Sequence, residues 1–585
     1  MSREGAAARR PRSTGRFLGL LPLGLLLACS PAPPAGLLLR NVRIVDLEHG
    51  EVRPGQSIRI DDGKISSIGP SAELEGPATE VVEGAGRYVL PGLIDAHVHI
   101  DHPDELTLYP AHGVTSTLVL RGVPHHLRWR SEIRSGERFG PGLYLTGDYL
   151  DGYPAWMEPM VALDGTEPAR AAVKRQVEAG YDFIKVFTRL TPEQLSAITE
   201  EASALGVCVV GHGSGNYVLE HLVASGQANL AHGQDIIRWW LSGHDDEEGI
   251  ERAVAQLAAS STTVTPNLAF TDAMIRQGQD LEAILATDEA RRLHPAILQP
   301  FRRANNRYVR NADEWVPSVQ ERFEIEKRIA RMLQEAGVSL LAGTDASTAA
   351  VFPGSSLPTE IELLVEAGLT PAEALRAATV NPGQLFERCL GTRVGRLAPG
   401  YEADLLLVDR NPLADVTALR DLVGVMLDGR WFAREELDAK LQSLEEDYAA
   451  LGEEVIALER ALFSGDVGSA RVIFDRVRAE RPDELLFSQY TPFFVGYGFL
   501  YDKDGISSDA GRLATALGLY EMYAETYPDY HSAHYMLALA RRANGDVEGA
   551  RASLERALAI HPEYVNAREQ LAELTTGAPE TEGSE

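Results

Sequence analysis

The sequence predicts an α/β protein: a (β/α)8 TIM barrel, a small composite β-sandwich made from segments that flank it, and a C-terminal all-α repeat domain. Three observations carry this prediction. Short apolar strands alternate with helical segments across residues 89–389. β-rich stretches lie on both sides of that region, and a purely helical pattern with recurring prolines begins at about residue 438. A chain of 585 residues is long enough for several domains.

Charge and composition limit the classes of function that the sequence can have. The chain carries 85 Asp and Glu against 55 Lys and Arg, a formal net charge of −30, and 44% of its residues are hydrophobic. Nucleic-acid binding depends on cations that neutralise phosphates, so such an acidic chain argues against a nucleic-acid partner. The apolar content is typical of a globular soluble protein.

Residues 1–29 are predicted to be a signal peptide. A basic stretch precedes the apolar run "FLGLLPLGLLLA", which is too short to span a bilayer as a helix. The run ends in a sequence that resembles a bacterial lipobox, with Cys29 as the lipidation site. Because Leu27 departs from the small residue usual there, cleavage by an ordinary signal peptidase is the alternative. Residues 30–36 read as a tether. We therefore expect an exported, periplasmic, membrane-anchored lipoprotein that meets the membrane only through its lipid.

The other two cysteines, Cys208 and Cys389, lie in apolar stretches far apart in the sequence. Two cysteines are too few to form the kind of disulfide framework that holds small secreted domains together. The sequence therefore favours two buried thiols.

The segments 37–88 and 390–434 predict the composite β-sandwich. In "SIRIDDGKISSIG" an Asp-Gly turn joins two alternating runs, which is a good hairpin signal. A similar pattern returns in "YEADLLLVDRNPL" and "VGVMLDGRWFA". We expect the two segments to pair although the barrel separates them in sequence.

Residues 89–389 supply the predicted barrel strands. Barrel active sites lie at the C-terminal ends of the strands, so the residues that follow each strand are the candidates for function. The stretch from Leu268 to Gly337 is longer than one crossover needs and is a candidate lid. The predicted strands end at "YVLPGLIDAHVH", "VTSTLVL", "GLYLTG", "DFIKVF", "VCVVGH", "ANLAH", "TTVTPN" and "VSLLAGTD".

Residues 438–575 predict tetratricopeptide-like repeats. "GDVGSARVIFDRVRAERP" resembles "GDVEGARASLERALAIHP", and Pro528 and Pro562 are 34 residues apart, the period of this repeat. Residues 501–512 read as an insertion, and residues 576–585 as a disordered tail. Repeats of this kind bind partner segments on a concave face, so a protein partner is possible here.

Two histidines open the candidate site. His97 and His99 are at positions i and i+2 on the first predicted strand, so their rings point to the same side. Lys185 interrupts the apolar strand "YDFIKVF" near its end. Beside a metal an ammonium would be repelled, whereas a lysine carboxylated by CO2 could bridge two cations. Alternatively, Lys185 reaches solvent with its charged end.

Three more strands end in a metal-ligating residue next to a glycine or threonine. Nitrogen and oxygen ligands without a thiolate suit zinc, or manganese, iron or cobalt. Six such groups exceed a four-coordinate site, which predicts two divalent metal ions, with zinc expected first. One cation would take His97, His99 and Asp345, the other His212 and His232, and Lys185 would bridge them. Asp345 would also act as general base and acid. The predicted metal set is His97, His99, Lys185, His212, His232 and Asp345.

Over residues 37–434 the sequence resembles the amidohydrolase superfamily, within it the prolidase-like and imidazolonepropionase-related group with a carboxylated lysine. "PGLIDAHVHI", "DFIKVF", the two later histidines and "AGTDAS" carry the resemblance. It implies a binuclear metal hydrolase, most often of amide C–N bonds, with the six positions above as ligands. The chain departs from the group at "LVLRG", where relatives often read Val-Arg-Asp, and at "GHG", where many have HAHG.

These observations predict a metal-dependent hydrolase that cleaves an amide C–N bond in a small molecule such as a dipeptide or N-acyl amino acid. Lactone, carbamate and phosphotriester hydrolysis use the same two-metal chemistry and stay open. A membrane-tethered repeat scaffold with an inactive barrel is the non-enzymatic alternative. Arg121, Tyr149 and Asn267 follow barrel strands and are candidates for contact with substrate, with a structural role as the alternative for each.

Overall fold

The structure is a computed structural model that describes residues 36–576, except 75–77, 79, 155–160, 244–245, 303–305, 349, 483, 488–490 and 503–504. The predicted signal peptide with Cys29, the tether up to residue 35 and the tail from residue 577 lie outside the described residues. Within the described part of the chain, every helix is too short or too polar to cross a membrane.

The strands fall into two large groups, those of a mixed sheet and those of a barrel. In chain order the described strands are β1 Leu37–Asp46, β2 Glu51–Asp61, β3 Lys64–Pro70, β4 Glu80–Glu83, β5 Tyr88–Pro91, β6 Leu93–Val98, β7 Val114–Val119, β8 Gly142–Leu145, β9 Leu150–Gly152, β10 Val161–Leu163, β11 Phe183–Val186, β12 Cys208–Gly211, β13 Asn229–Leu230, β14 Thr263–Val264, β15 Leu405–Val408, β16 Leu422–Leu427, β17 Arg430–Ala433, β18 Tyr501–Asp502 and β19 Gly505–Ile506.

Helices fill the crossovers of the barrel and the whole C-terminal region. In chain order the described α-helices are α1 Glu105–Ala111, α2 Pro124–Ser135, α3 Thr166–Ala179, α4 Pro192–Ala204, α5 Leu219–Ser225, α6 Gln234–Trp240, α7 Glu247–Ala258, α8 Leu268–Leu285, α9 Asp288–Arg291, α10 Pro295–Leu298, α11 Ala312–Glu335, α12 Ser356–Glu366, α13 Pro371–Ala377, α14 Val380–Leu390, α15 Arg434–Ser464, α16 Val467–Glu480, α17 Thr491–Leu500, α18 Ala510–Thr526, α19 His531–Ala543, α20 Val547–Ile560 and α21 Val565–Thr576.

One sheet joins the two β-rich segments across the barrel. Its order is β17-β16-β15-β5-β1-β2-β3, and β4 pairs with β1. Strand β5 connects the halves, since it runs parallel to β1 and antiparallel to β15. Apolar side chains from both segments share one core, among them Leu39, Ile60 and Leu405. Because β5 leads directly into β6, this sheet anchors the first barrel strand.

The barrel is a closed ring of eight parallel segments, here called staves, of which seven are strands and one is irregular. This arrangement confirms the predicted TIM-barrel class. Strands β6, β7 and β8 pair in parallel, as do β11, β12, β13 and β14. The eighth stave is an irregular segment, residues 338–346, that bridges to both neighbours through Val264–Leu340 and Val98–Ala346. Thr146 and Phe183 close the remaining gap. Strands β9 and β10 extend the ring beside β11 and were not predicted.

The C-terminal helices pack against the loops that follow the barrel strands. Tyr448 of α15 donates a hydrogen bond to Asp104 after β6 (2.6 Å), and Tyr153 after β9 bonds Glu569 of α21 (2.9 Å). Val123, which follows β7, belongs to the apolar core of the helical region. The predicted insertion begins as the short hairpin β18–β19, but its last residues already belong to α18. The repeat helices therefore lie at the C-terminal face of the barrel.

The prediction of two buried thiols is wrong, because Cys208 and Cys389 form a disulfide. They are 181 residues apart in sequence. Cys208 begins β12, and Cys389 lies near the end of α14, the last helix of the barrel region. Closure of the barrel brings these distant segments together, a relationship that no local sequence pattern signals.

Candidate active site

The C-terminal ends of the barrel strands bring the six predicted metal-binding residues into one pocket. Lys185 lies within β11, His97 within β6 and Asp345 near the end of the irregular stave. The other three lie just beyond the ends of β6, β12 and β13. All six side chains are buried or nearly so. Ligating atoms of His97, His232 and Asp345 lie within 4.8 Å of one another. The rings of His232 and His212 stack with centroids 4.3 Å apart.

His97 and His99 both face the carboxylate of Asp345. Their Nε2 atoms lie 3.3 and 2.9 Å from Asp345 Oδ1, so the i, i+2 spacing places both rings on one side as predicted from the strand. Burial lowers the pKa of His97 well below its ordinary value, which keeps the imidazole neutral. Burial favours the neutral acid at Asp345, but the two histidines outweigh it and hold the pKa of Asp345 at about 2. These are the protonation states that metal ligands require.

Asp95 and Gly343 set the spacing between the first and the last stave. Asp95 is fully buried and accepts hydrogen bonds from Thr344 N (3.0 Å), Thr344 Oγ1 (2.7 Å) and His97 N (3.3 Å). A Cβ added at Gly343 would lie 2.9 Å from His97 Cβ and 2.6 Å from Thr265 Cγ2, so only glycine fits here. Together these residues keep His97 next to Asp345.

His212 is held by Asp235, a residue that the sequence did not single out. Asp235 lies in the first turn of α6 and is 2% exposed. Its Oδ2 accepts from His212 Nδ1 (2.9 Å) and from Gly213 N (3.0 Å). A carboxylate can only accept, so His212 Nδ1 carries the proton and Nε2 is left to bind a metal. The ring of Phe187 packs against that of His212, with their centroids 4.4 Å apart.

Lys185 is the most unusual member of the set. It is 1% exposed, and its Nζ has no hydrogen-bond partner among the described residues. Burial lowers the pKa of Lys185 to about 8, while Asp345 and Asp235 act in the opposite direction. The expectation that this side chain reaches solvent does not fit its burial. Burying an amine without a hydrogen-bond partner costs free energy of folding, unless a bound group or a chemical modification supplies the missing interaction.

The residues of this pocket fit a divalent metal centre. The donors are neutral imidazoles and a carboxylate without a thiolate, the set that suits zinc and similar cations. Two buried nitrogens, Lys185 Nζ and His99 Nδ1, lack hydrogen-bond partners among the described residues. Carboxylation of Lys185 would replace the amine with an anionic oxygen ligand.

The three candidate substrate residues have different surroundings. Tyr149 is buried, with its ring 6.3 Å from that of His99 and 5.1 Å from that of Phe187. Arg121 is 3% exposed, and its Nη2 lies 2.8 Å from Asp101 Oδ1. Asn267 is fully buried and donates to Gly343 O (3.0 Å), a bond between neighbouring staves. Tyr149 is therefore the candidate beside the metal-binding side chains.

Comparison with known proteins identifies the family of the barrel region. The sequence profile of the amidohydrolase family matches residues 88–432, more than half of the chain, and a tetratricopeptide repeat profile matches residues 531–574. Ochratoxinase of Aspergillus niger is 23% identical over 442 residues, which cover 64% of this chain and 81% of that protein. Adenine deaminase of Rubrobacter xylanophilus is 35% identical over 107 residues, only 15% of this chain and 18% of that protein.

Among solved structures, a Xaa-Pro dipeptidase with bound methionine in its active site superposes with a TM-score of 0.53. The match covers 68% of this chain and all of that one, at 20% sequence identity. At this identity the likeness establishes the fold of the barrel and its sheet.

Proposed function

The chain belongs to the amidohydrolase family, whose members are enzymes that act on C–N bonds, and from this premise we propose a binuclear hydrolase of small amides. The substrates would be dipeptides or N-acyl amino acids. One cation would be held by His97, His99 and Asp345 and the other by His212 and His232. Carboxylated Lys185 would lie between them. When bound, divalent cations acidify water and polarise a carbonyl group.

The observation that carries this proposal is the buried Nζ of Lys185, which has no hydrogen-bond partner among the described residues and lies close enough to Asp345 and Asp235 for their charges to act on it. An inactive barrel has no physical reason to keep such an amine uncompensated in its core. Two buried carboxylates also hold the segments that carry candidate ligands: Asp235 bonds His212, and Asp95 bonds Thr344, which precedes Asp345.

The protein's own groups would divide the reaction between them. Asp345 accepts a proton from the attacking water and returns it to the nitrogen of the leaving amine, so water adds across the C–N bond and yields an acid and an amine. The rings of Tyr149 and Phe187, with centroids 5.1 Å apart, would shield the reacting groups from bulk water. Hydrolysis of lactones, carbamates or phosphotriesters would use the same groups, and these substrates belong in the same screen.

Two further properties belong to this proposal. The disulfide between Cys208 and Cys389 supports export to an oxidising compartment such as the periplasm, where such bonds persist. Anchoring through Cys29 would place the enzyme at the membrane surface. The repeat helices offer a surface for a protein partner.

The deciding experiment uses the full mature chain prepared with zinc and bicarbonate. We expect about two zinc ions in the barrel and hydrolysis of members of a dipeptide and N-acyl amino acid library. Lys185→Ala should lose both, while Lys174→Ala, a change on the exposed face of α3, should lose neither. A chain that binds no zinc in the barrel, or a Lys185→Ala variant with full activity, would falsify the proposal.

A further inference from the structure

The loop that connects β8 to β9 lies against the repeat helices. This loop, residues 146–149, ends in Tyr149, the substrate candidate beside the metal-binding side chains. The residue before Tyr149 is Asp148, and its Oδ2 lies 3.8 Å from Nδ1 of His531, the first residue of α19. The repeat helices therefore contact the barrel one residue away from a group that faces the candidate active site.

We propose that the repeat helices act within the same chain as part of the active site: they hold the loop after β8 in place, and His531 is a positioning residue for Tyr149. This role rests on the proposed function, because Tyr149 can affect catalysis only if the pocket binds an amide substrate. It requires no partner protein, so it is distinct from recruitment through the repeats.

The His531 side chain is fixed within the repeat helices. Its ring is buried, and the centroids of Tyr530, His561 and Tyr564 lie 5.2, 5.0 and 4.8 Å from its own. Side chains packed in this way occupy few rotamers. Asp148 therefore meets a group whose position the repeat helices determine.

A second contact fixes the backbone of the same loop. Gln176, on α3, donates from Nε2 to the backbone oxygen of Asp148 at 2.8 Å. A Cβ added at Gly147 would lie 2.5 Å from Gln176 Cδ, so the close approach of α3 to the loop requires glycine. The position of α3 thus sets the position of the residues just before Tyr149.

The repeat helices also hold this part of α3. Arg175, next to Gln176, donates from Nη2 to His561 Nε2 at 2.8 Å and forms an ion pair with Glu563. His561 and Glu563 lie between α20 and α21. Because the rings of His561 and His531 pack against each other, the contact with α3 and the contact with Asp148 come from one packed group in the repeat helices.

Electrostatic interactions place the same groups close together. Burial raises the pKa of Asp148 to about 7, and Arg121 and Arg175 act in the opposite direction, so two cations lie near this carboxylate. Burial also raises the pKa of Tyr530, with smaller effects in the same direction from Asp148 and Tyr149. The turn before α19 is therefore a neighbour of the loop after β8 as well as of the α3 contact.

These contacts predict a specific pattern of effects. If the repeat helices release the loop, Tyr149 can move, and the pocket should bind substrate less tightly. The metal-binding side chains should be unaffected, because none of the six lies in residues 146–149. A residue that acts through Tyr149 should have no further effect once the Tyr149 ring has been removed.

The first test measures hydrogen exchange of the peptide that spans residues 146–153 in the full chain. His531→Ala and Asp148→Asn, which change the same contact from its two sides, should each speed exchange of this peptide by about tenfold. The control Glu459→Gln removes the pair with Arg302, between the barrel and α15, and should exchange as the wild type does. Wild-type exchange in both His531→Ala and Asp148→Asn overturns the proposal, and this measurement needs no substrate.

The second test uses the amide that the wild type hydrolyses best in the substrate screen. His531→Ala should lower kcat/KM by up to about 100-fold, mainly through KM, with wild-type zinc content. In a Tyr149→Ala background the same change should alter kcat/KM by less than about twofold. An equal loss in the two backgrounds would overturn the positioning role. If the wild type hydrolyses no amide, the proposed function fails, and the exchange of residues 146–153 alone decides whether the repeat helices hold the loop.

Discussion

Asp235 Oδ2 lies 2.9 Å from His212 Nδ1 and 3.0 Å from the backbone nitrogen of Gly213, so one carboxylate oxygen fixes both the ring and the loop that carries it. The aspartate comes from α6, a different crossover from the histidine. This arrangement sets the tautomer of His212 and thereby the nitrogen that faces the centre of the pocket.

Asp235→Asn is expected to weaken metal binding by about 10- to 100-fold, because the amide no longer stabilises the Nδ1–H form of His212. Competition with a chelator of known affinity measures the change. Asp272→Asn is the matched control, because Asp272 lies on α8 and pairs with Arg276 of the same helix. Unchanged affinity in Asp235→Asn would show that the hydrogen bond does not position the ligand.

Asp95→Ala is expected to destabilise the fold by about 1–3 kcal/mol, because it leaves the buried Thr344 N–H and hydroxyl without their acceptor. The same change should lower metal content, since Thr344 precedes the ligand Asp345. Urea unfolding and metal analysis test the two effects. Asp409→Ala removes only the surface pair with Arg87 and should change neither. Wild-type stability in Asp95→Ala would refute the role given to this carboxylate.

The sequence predicts the barrel well, and the structure brings the six candidate positions into one pocket, because strand ends depend on local patterns. An apolar run followed at once by histidine, or interrupted by lysine, marks a strand end such as those at His99 and Lys185 without knowledge of the rest of the chain. The predicted class and the family are confirmed. The last stave was also found from "GVSLLAGTD", although it forms no regular strand.

What the sequence missed depends on tertiary neighbours. Asp235 looks like an ordinary acidic residue in the first turn of a helix, and only the closed barrel shows its contact with His212. His102 stacks on His294, and His294 bonds Glu484, although these residues are 192 and 190 positions apart, so no motif spacing could reveal the contact. The pairing of Cys208 with Cys389 belongs to the same class.

Removal of the disulfide by a Cys208→Ala and Cys389→Ala double change should lower the free energy of unfolding by about 2–4 kcal/mol, because the bond closes a long loop in the unfolded chain. Hydrolysis by the folded enzyme should be retained, since Cys208 lies at the opposite end of β12 from His212. Thermal unfolding with and without a reducing agent measures the effect. The wild type should respond to the reductant and the double variant should not; a wild type that is insensitive although its thiols become titratable contradicts the prediction.

The buried carboxyl group of Glu360 is expected to make the free energy of unfolding depend on pH. It is fully buried on α12, and its Oε2 accepts from Ala269 N at 2.6 Å. Burial raises the pKa of Glu360 from 4.5 to about 8, with backbone hydrogen bonds acting in the opposite direction. Between these pKa values the folded state holds a proton that the unfolded state has released. Stability from this group is therefore present below pH 4.5 and is lost as pH rises towards 8, by up to about 1.4 kcal/mol per pH unit.

Glu360→Gln cannot ionise, so its thermal midpoint should fall less steeply than that of the wild type between pH 5 and pH 8. Glu362→Gln, two residues away and paired with Arg420 at the surface, should follow the wild-type curve. Thermal unfolding across this pH range compares the three proteins. Parallel curves for the wild type and Glu360→Gln would mean that Glu360 does not keep its proton in the folded protein, and that the buried hydrogen bonds to α8 stabilise a carboxylate instead.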